Sequence, residues 1–378
     1  MTRTIEILER LVAFDTVSDR SNLPLIGYVQ EFLQGLGFAV TRVADPTGDK
    51  AGLFARIGPE GAGALLSAHT DVVPVAGQAW TRAPFALTVE DDRLYGRGTT
   101  DMKGFLAAML AACEVAAQAP LREPLKLAIS YDEEVGCLGI AHMIGGLEAA
   151  IGRPRACIVG EPTQMRVAIG HKGKQALRAV CHGQAGHSAQ APQFTNALHL
   201  AAGFITEVRG LQDWLAAHGA QDAAYDVPYS TVHVGRLTGG TALNIVPDRA
   251  DMALEFRHLA GDSPDDLLAR IMAAAGRAAA PFGDAGQIEV EPLTAYPGLA
   301  TAPDAPVVAW AQDLAGQTGI TKVGFGTEAG FFDALGIPAV VCGPGSMTGQ
   351  GHKPDEFITH DQLAQCDRML ARVVDSLC

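Results

Sequence analysis

The segment Ala64-Leu-Leu-Ser-Ala-His-Thr-Asp71 joins a short apolar run to two polar side chains, His69 and Asp71. A short, continuous apolar run is typical of a strand that is buried on both faces of a parallel sheet. Similar runs, each followed by a polar or glycine-rich turn, occur at residues 125–130, 156–159 and 339–342. Helical spacing of apolar residues separates these strands. The alternation predicts an α/β fold, with a mixed, largely parallel sheet flanked by helices.

The middle of the chain follows a different order, which is strand, helix, strand, strand, helix, strand. Its segments are residues 174–180, 198–215, 231–237, 249–258, 264–280 and 287–295. This order is typical of the ferredoxin-like split βαβ unit, which can form a core of its own. The α/β pattern then resumes with helical segments at 307–316 and 361–377. We therefore predict a discontinuous first domain, 1–171 and 299–378, and an inserted α+β domain, 172–298.

Composition limits the class of protein and its partners. Apolar residues make up 48% and charged residues 19% of the 378 residues, which is ordinary for a soluble globular protein. The net charge of −14 would repel a polyanion and argues against nucleic acid as a partner. The seven cysteines are dispersed without a CxxC pair, which favours reduced thiols. The amphipathic, acidic start and the lack of an apolar run near ~20 residues predict a cytoplasmic protein without a membrane partner.

Carboxylate and imidazole groups follow the predicted strands. They are His69, Asp71, Asp101, Glu133, Glu134, Glu161 and His352. Ligands of open α/β sheets bind at the carboxyl ends of the strands, so we expect these side chains to meet there. Imidazole and carboxylate ligands suit zinc and related divalent ions. One carboxylate shared by two ions, a further carboxylate and a histidine on each ion, and a bridging water would complete a two-metal hydrolase site.

Each of these residues alone also has a structural explanation. His69 could be a turn histidine, and Asp101 could cap the helix that begins near Gly104. The pair Glu133 and Glu134, like Glu161, could belong to an exposed acidic turn. Together they favour a site, because like charges repel and a chain rarely places so many acidic groups after apolar strands.

At these residues the sequence resembles the two-zinc metallopeptidase and amidohydrolase family, which includes acetylornithine deacetylase, succinyl-diaminopimelate desuccinylase, aminoacylase and glutamate carboxypeptidases. The resemblance covers nearly the whole chain. Segments that are most similar to the acetylornithine deacetylase branch are residues 11–18, 21–26, 325–330, 343–346 and 351–356. The resemblance implies a metal-dependent hydrolase that cleaves the amide bond of N-acyl amino acids, with N2-acetyl-L-ornithine, a precursor in arginine biosynthesis, as the expected substrate.

The resemblance also implies a ligand set for two metal ions. Asp101 is expected to bridge them. His69 and Glu161 are expected to complete one site, and Glu134 and His352 the other. The ions are expected to be zinc, with cobalt or manganese as alternatives.

Two further carboxylates receive roles from the same resemblance. Glu133 is expected to be the general base. Asp71 is expected to orient His69, because a carboxylate partner fixes the tautomer of a ligand histidine. The peptide bond between Asp101 and Met102 is expected to be cis.

The inserted domain resembles the family's lid and dimerisation domain. In a homodimer, His187 is expected to reach the partner's active site, and the alternative is an ordinary loop histidine. Asn244 and Arg257 resemble contacts to the substrate carboxylate, for which the two-pronged arginine donor is suited, although both could be structural. Gly345 and Ser346 could donate to the same carboxylate, but a Gly-Pro-Gly turn needs no ligand.

One position departs from the resemblance, and several functions stay open. Gly351 precedes His352 where an alanine is expected. A desuccinylase or a carboxypeptidase would use the same metals with a different pocket. A non-catalytic binding protein could keep the same fold. A dinucleotide-binding enzyme is a third alternative, since Gly96-Arg-Gly-Thr-Thr100 precedes a helix, but the GxGxxG spacing is incomplete.

Overall fold

A computed structural model describes residues 2–378 and separates them into two units. Unit 1 contains the chain up to His171 together with Leu299–Val323 and Thr327–Cys378. Unit 2 contains Lys172–Gly298 and the short segment Gly324–Gly326. Each unit has its own cluster of buried apolar side chains.

Helices occur in both units. Within residues 2–378 the α-helices are Arg3–Val12 (α1), Leu23–Gly35 (α2), Lys103–Ala116 (α3), Leu138–Met143 (α4), Leu147–Ile151 (α5), Ala197–His218 (α6), Pro264–Ala279 (α7), Pro306–Ala315 (α8), Ala329–Ala334 (α9) and His360–Asp375 (α10). Short 3₁₀ turns cover Ile144–Gly146, Ser188–Gln193 and Ala280–Ala285. In this part of the chain no helix combines the length and the apolar character that a bilayer span requires.

The strands of residues 2–378 form four sheets. In chain order they are Ala39–Ala44 (β1), Ala51–Ile57 (β2), Ala64–His69 (β3), Thr88–Glu90 (β4), Arg93–Tyr95 (β5), Leu125–Ser130 (β6), Ala156–Pro162 (β7), Val167–His171 (β8), Gly173–His182 (β9), Gly186–His187 (β10), Thr231–Gly239 (β11), Ile245–Val246 (β12), Arg249–His258 (β13), Gln287–Tyr296 (β14), Leu299–Ala300 (β15), Ile320–Val323 (β16), Ala339–Gly343 (β17) and Phe357–Thr359 (β18). β4, β5 and β18 form a small sheet within unit 1, and β10 pairs with β12 in unit 2.

The main sheet of unit 1 has the order β1-β2-β6-β3-β7-β17-β8-β15, with β16 beside β8. The four central strands, β6, β3, β7 and β17, run parallel, whereas β1, β2 and β15 pair antiparallel with their neighbours. Every residue of the central strands is buried. Helix α3 packs on β3 and β7, and α9 packs on β7 and β17. The predicted mixed α/β fold with flanking helices is confirmed.

The register of the central strands brings their final residues together. His69 of β3 lies opposite Ser130 of β6, and both strands end at this point. Because the strands are parallel, the turns that follow them leave the same edge of the sheet. The turn with His69 and Asp71 therefore lies beside the turn with Glu133 and Glu134.

Unit 2 contains a four-stranded antiparallel sheet in the order β11-β13-β9-β14. Helices α6 and α7 pack on each other, and their buried apolar residues form one core with those of the strands. The chain order strand, helix, strand, strand, helix, strand in this arrangement is that of a ferredoxin-like unit. Side chains stabilise the helix starts: Asn196 accepts hydrogen bonds from the first turn of α6, and Ser263 accepts one from Asp266 of α7.

Candidate metal centre

Asp101 lies between two histidines at the carboxyl edge of the main sheet. Its Oδ1 is 3.1 Å from His69 Nε2, and its Oδ2 is 3.1 Å from His352 Nε2. His69 Nε2 is also 3.5 Å from Glu161 Oε1, and His352 Nε2 is 3.0 Å from Glu134 Oε2. The structure thus brings these five side chains together as two groups that share Asp101.

Glu133 lies in the same cluster. Two sets of three side chains place their nitrogen and oxygen atoms within 4.8 Å of one another, namely His69 with Asp101 and Glu134, and His69 with Glu133 and Glu161. Imidazole and carboxylate donors at this spacing could hold divalent ions. Glu133 is therefore close enough either to bind an ion or to act on a molecule held beside one.

The burial of the carboxylates fits bound cations. Glu161 is 3% exposed, and its buried Oε1 has no hydrogen-bond partner among residues 2–378. A buried carboxylate oxygen without a hydrogen bond is costly, and the 3.5 Å contact with His69 Nε2 compensates that cost only in part. A divalent ion would supply the missing interaction, so the donor set fits such an ion.

The acidic groups of the cluster have shifted pKa values. Burial raises the pKa of Glu133 well above its usual range, and the negative charges of Glu134 and Asp101 add to the rise against the opposing effect of His69. Burial also raises the pKa of Glu134, to about 7. Burial acts in the same direction on Asp101, but hydrogen bonds with His352 and His69 keep its pKa below the usual range. The cluster therefore holds protons in the absence of cations.

The two histidines shift in the direction of the protonated form. Burial lowers the pKa of His352, but hydrogen bonds with Asp101 and Glu134 outweigh it and raise the pKa to about 10. Burial likewise opposes protonation of His69, yet the charge of Glu161 and the hydrogen bond with Asp101 raise its pKa well above the usual range. Since ligand histidines must be neutral, a bound cation would displace these protons.

Asp71 joins the turn after β3 to the turn after β6. Its Oδ1 accepts a hydrogen bond from the main-chain N–H of Glu133 at 3.0 Å, and its Oδ2 accepts from that of Glu134 at 3.2 Å. Ser18 Oγ donates to Oδ2 at 2.7 Å. His69 Nδ1 lies 3.4 Å from Oδ1, and it is closer, at 3.0 Å, to the main-chain oxygen of Asp71. The Asp71 carboxylate therefore lies closer to the main-chain N–H groups of Glu133 and Glu134 than to the His69 ring.

Asp101 does not cap α3. The helix begins at Lys103, and the residue at its N-cap position is Met102, which makes no side-chain cap hydrogen bond. The peptide bond between Asp101 and Met102 is cis. A Cβ at Gly104 would lie 2.3 Å from the main-chain oxygen of Thr99, so the helix start and the preceding loop approach too closely for any side chain there. The Asp101 side chain points instead to the two histidines.

Gly345 and Ser346 belong to a tight turn in unit 1. Gly345 has φ +84°, and a Cβ there would lie 2.9 Å from Thr100 Cγ2, so the turn requires glycine. Ser346 Oγ accepts hydrogen bonds from Gln164 Nε2 at 3.0 Å and from the N–H of Thr348 at 3.2 Å. The turn accounts for both residues, and a substrate role for them stays a prediction.

The departure at Gly351 has a local explanation. A Cβ at this position would lie 2.7 Å from Met347 Sδ. The methionine side chain thus fills the space that an alanine methyl group before His352 would need. An alanine at this position would require the flexible Met347 side chain to move.

Two of the residues predicted to contact substrate lie close together in unit 2. His187 ends β10 and is exposed, and its Nδ1 accepts a hydrogen bond from the N–H of Ala189 at 3.1 Å. The exposed Asn244 precedes β12, and its main-chain oxygen accepts a hydrogen bond from the N–H of Ser188 at 3.1 Å. The pairing of β10 with β12 holds these segments side by side.

Arg257 lies elsewhere in unit 2, on β13. Its Nε donates to Glu255 Oε1 at 3.0 Å, and its Nη1 donates to Tyr296 Oη at 3.3 Å. The guanidinium group therefore has an acidic partner within its own unit.

Three buried charged residues near the cluster were not predicted from the sequence. Glu356 and Arg97 form an ion pair at 2.6 Å, with each side chain 1% exposed. Glu328 accepts hydrogen bonds from Ser67 Oγ, at 3.1 Å, and from Ser130 Oγ. Glu328 and Glu356 lie in segments 325–330 and 351–356, which resemble the acetylornithine deacetylase branch. That resemblance is the sequence feature that could have identified them.

An α/β sheet with acidic and histidine side chains clustered at its carboxyl edge is an arrangement that suits metal-dependent hydrolysis. The model of peptidase family M20/M25/M40 matches residues 65–376. The chain belongs to this family and is a hydrolase that acts on amide bonds.

Relatives of similar length support this assignment. An acetylornithine deacetylase from Myxococcus xanthus is 35% identical over 380 residues, which is 98% of this chain and 96% of that protein. An acetylornithine deacetylase from Klebsiella pneumoniae (strain 342) is 34% identical over 385 residues, which is 99% of this chain and 97% of that protein.

Solved structures share the fold. An M20 family metallo-carboxypeptidase from Sulfolobus solfataricus has a TM-score of 0.79 and 22% identity, over 99% of both chains. The Bacillus subtilis YXEP protein, described as a dinuclear metal binding peptidase from the M20 family, has a TM-score of 0.70 and 17% identity, over 99% of this chain and 98% of that one. At these identities the likeness concerns the fold alone.

Proposed function

We propose that this chain removes the acetyl group from N2-acetyl-L-ornithine, with two divalent ions in its active site. The observation that carries the proposal is the placement of Asp101 between two histidines. Its Oδ1 lies 3.1 Å from His69 Nε2, and its Oδ2 lies 3.1 Å from His352 Nε2. A shared carboxylate of this kind is what a two-ion hydrolytic centre needs. The substrate follows from the relatives named acetylornithine deacetylase, which align over nearly the whole chain.

Five side chains would hold the ions. His69 and Glu161 would bind one ion, Glu134 and His352 would bind the other, and Asp101 would serve both. Zinc suits these ligands, and cobalt or manganese could replace it. When bound, two ions lower the pKa of a water molecule and polarise the acyl carbonyl.

Glu133 is the general base in this proposal. It accepts a proton from the water as the water oxygen attacks the acyl carbon. When the carbon–nitrogen bond breaks, it gives the proton to the leaving amine, and the products are acetate and ornithine. Its place supports the role, because its carboxylate lies within 4.8 Å of the donor atoms of His69 and Glu161, and a general base must be within reach of the water that it deprotonates.

The inserted domain would complete the site in a cytoplasmic homodimer. His187 of one subunit would donate to the developing oxyanion in its partner, a contribution worth ~3–4 kcal/mol per donor in other hydrolases. The substrate carboxylate would be bound by Asn244, Arg257, Gly345 and Ser346. Mixing His187→Ala subunits with Glu133→Ala subunits tests this role, since heterodimers regain activity only if His187 acts across the interface.

The substrate is tested by an assay of liberated amine. We expect N2-acetyl-L-ornithine to give a higher kcat/KM than N-succinyl-diaminopimelate or a dipeptide with ion-loaded protein. A preference for the succinyl compound or the dipeptide would assign the chain to another branch of the family. Ion-loaded protein that hydrolyses none of them would indicate a binding protein.

A further inference from the structure

Glu356 is a buried carboxylate that contacts the loop with Asp101. Its Oε1 accepts hydrogen bonds from the main-chain N–H of Thr100 at 2.9 Å and from that of Asp101 at 3.1 Å. Its Oε2 accepts a hydrogen bond from Arg97 Nη1 at 2.6 Å. Both oxygens are therefore engaged, and one of them fixes the peptide group of a proposed bridging ligand.

Arg97 extends the same network to the turn with His352. The arginine is fully buried, and its guanidinium carbon lies 4.9 Å from the ring centroid of Trp80. Its Nη2 donates to Gln78 Oε1. Gln78 Nε2 in turn donates to the main-chain oxygen of His352 at 3.2 Å. The buried pair of Glu356 and Arg97 is thus linked by hydrogen bonds to the main chain of Asp101 and, through Gln78, to that of His352.

We propose that Glu356 is a positioning residue for the metal centre. It holds the main chain of Asp101 directly, and it holds that of His352 through Arg97 and Gln78. It thereby sets the separation of two proposed ligands of one ion, and so the affinity of that ion. The inference rests on the proposed function, because it assumes that these residues bind a metal. Residues that orient metal ligands commonly change metal affinity by about 10- to 100-fold.

The two ions should not depend equally on Glu356. His69 and Glu161 belong to β3 and β7, and sheet hydrogen bonds hold both strands. His352 lies in a turn outside the strands, with φ +59°. Loss of Glu356 should therefore weaken chiefly the ion bound by Glu134 and His352.

The test measures Zn²⁺ affinity in Glu356→Ala and Glu356→Gln. Ion-free protein competes with a chromogenic chelator for Zn²⁺, which yields two stepwise dissociation constants. We expect one of the two constants to rise about 10- to 100-fold in Glu356→Ala and the other to change less. The rise should be smaller in Glu356→Gln, because an amide oxygen can still accept the two N–H groups. Added Zn²⁺ should restore the turnover of both variants, which a merely structural defect would not allow.

Lys126→Met is the matched control. Lys126 is also a fully buried charge of unit 1, and its Nζ donates to the main-chain oxygens of Gly61, Gly152 and Arg153 at 2.9, 3.1 and 3.2 Å. This variant should lose thermal stability and keep both Zn²⁺ constants.

Unchanged Zn²⁺ dissociation constants in both Glu356 variants would overturn this inference and leave the proposed function standing. If Glu356→Ala does not fold, Glu356→Gln decides by the same titration. Wild-type protein that binds none of Zn²⁺, Co²⁺ and Mn²⁺ would instead refute the proposed function, and the inference with it.

Discussion

The two ends of the central sheet differ in how far their buried charges are compensated by hydrogen bonds. Near the start of β6, the ammonium group of Lys126 donates to three main-chain oxygens, so its burial is compensated. Beyond the end of β6, Glu133 and Glu134 are partly buried with raised pKa values, and Glu161 beside them has a buried oxygen without a hydrogen bond. A satisfied buried charge stabilises the fold, whereas incompletely satisfied charges in one place mark a site for a ligand.

Removal of the ions should produce the largest effect on the carboxyl end. Protein dialysed against a chelator should lose all measurable amide hydrolysis, and Zn²⁺ should restore it, because the proposed chemistry needs the cations. Amine release and metal content are measured on the same samples. Full activity in protein shown to be ion-free would contradict the proposed centre.

Replacement of the proposed base comes next. Glu133→Gln should lower kcat by about 10²- to 10⁴-fold, because the amide cannot accept the proton from water. Metal content should stay at two ions per subunit. If the variant loses an ion instead, Glu133 belongs to the ligand set, as its place beside His69 and Glu161 would also allow.

At the amino end, Lys126→Met should affect stability only. Three carbonyl oxygens lose their donor, and we expect a loss of about 1–3 kcal/mol in the free energy of unfolding. Urea denaturation of ion-free protein measures this loss, and kcat of loaded protein should not change. A fall in kcat of the folded variant would show that the two ends are not independent.

The smallest effect concerns protons at the carboxyl end. The pKa of His352 is raised to about 10, so its ring is protonated at neutral pH when no ion is bound. The stability that this proton adds to the ion-free fold is complete below the unfolded pKa of ~6.5 and is lost as pH rises through about 10. Zn²⁺ binding should therefore release protons and tighten between pH 6 and pH 8. Calorimetry in buffers of different ionisation enthalpy measures the release, and heats that are independent of the buffer would exclude it.

Local pattern was enough to predict most of the central sheet. Residues 125–130 carry apolar side chains at four of six positions and form β6 with the predicted bounds. The small sheet of β4, β5 and β18 was not predicted, because its strands are three residues long and partly exposed. So short a segment has no periodicity that separates it from a loop.

The clustering of the candidate site could be anticipated because its residues follow strands that end at one edge. The buried residues that support the site could not be anticipated. Arg97 and Glu356 are separated by 259 residues, and both types of side chain are usually exposed, so nothing in their neighbourhoods indicates a buried pair. The predicted strand 249–258 already places Glu255 and Arg257 on one face. Their contact was not predicted because the resemblance assigned Arg257 to the substrate carboxylate.

The supports of the site lie far apart along the chain. Ser18 binds Asp71, whereas His352 and Glu356 are separated from Ser18 by almost the whole sequence. A chain cut before residue 352 would keep His69 and Glu161 but would lose one proposed ligand and its buried support. Such a fragment would be expected to bind one ion at most.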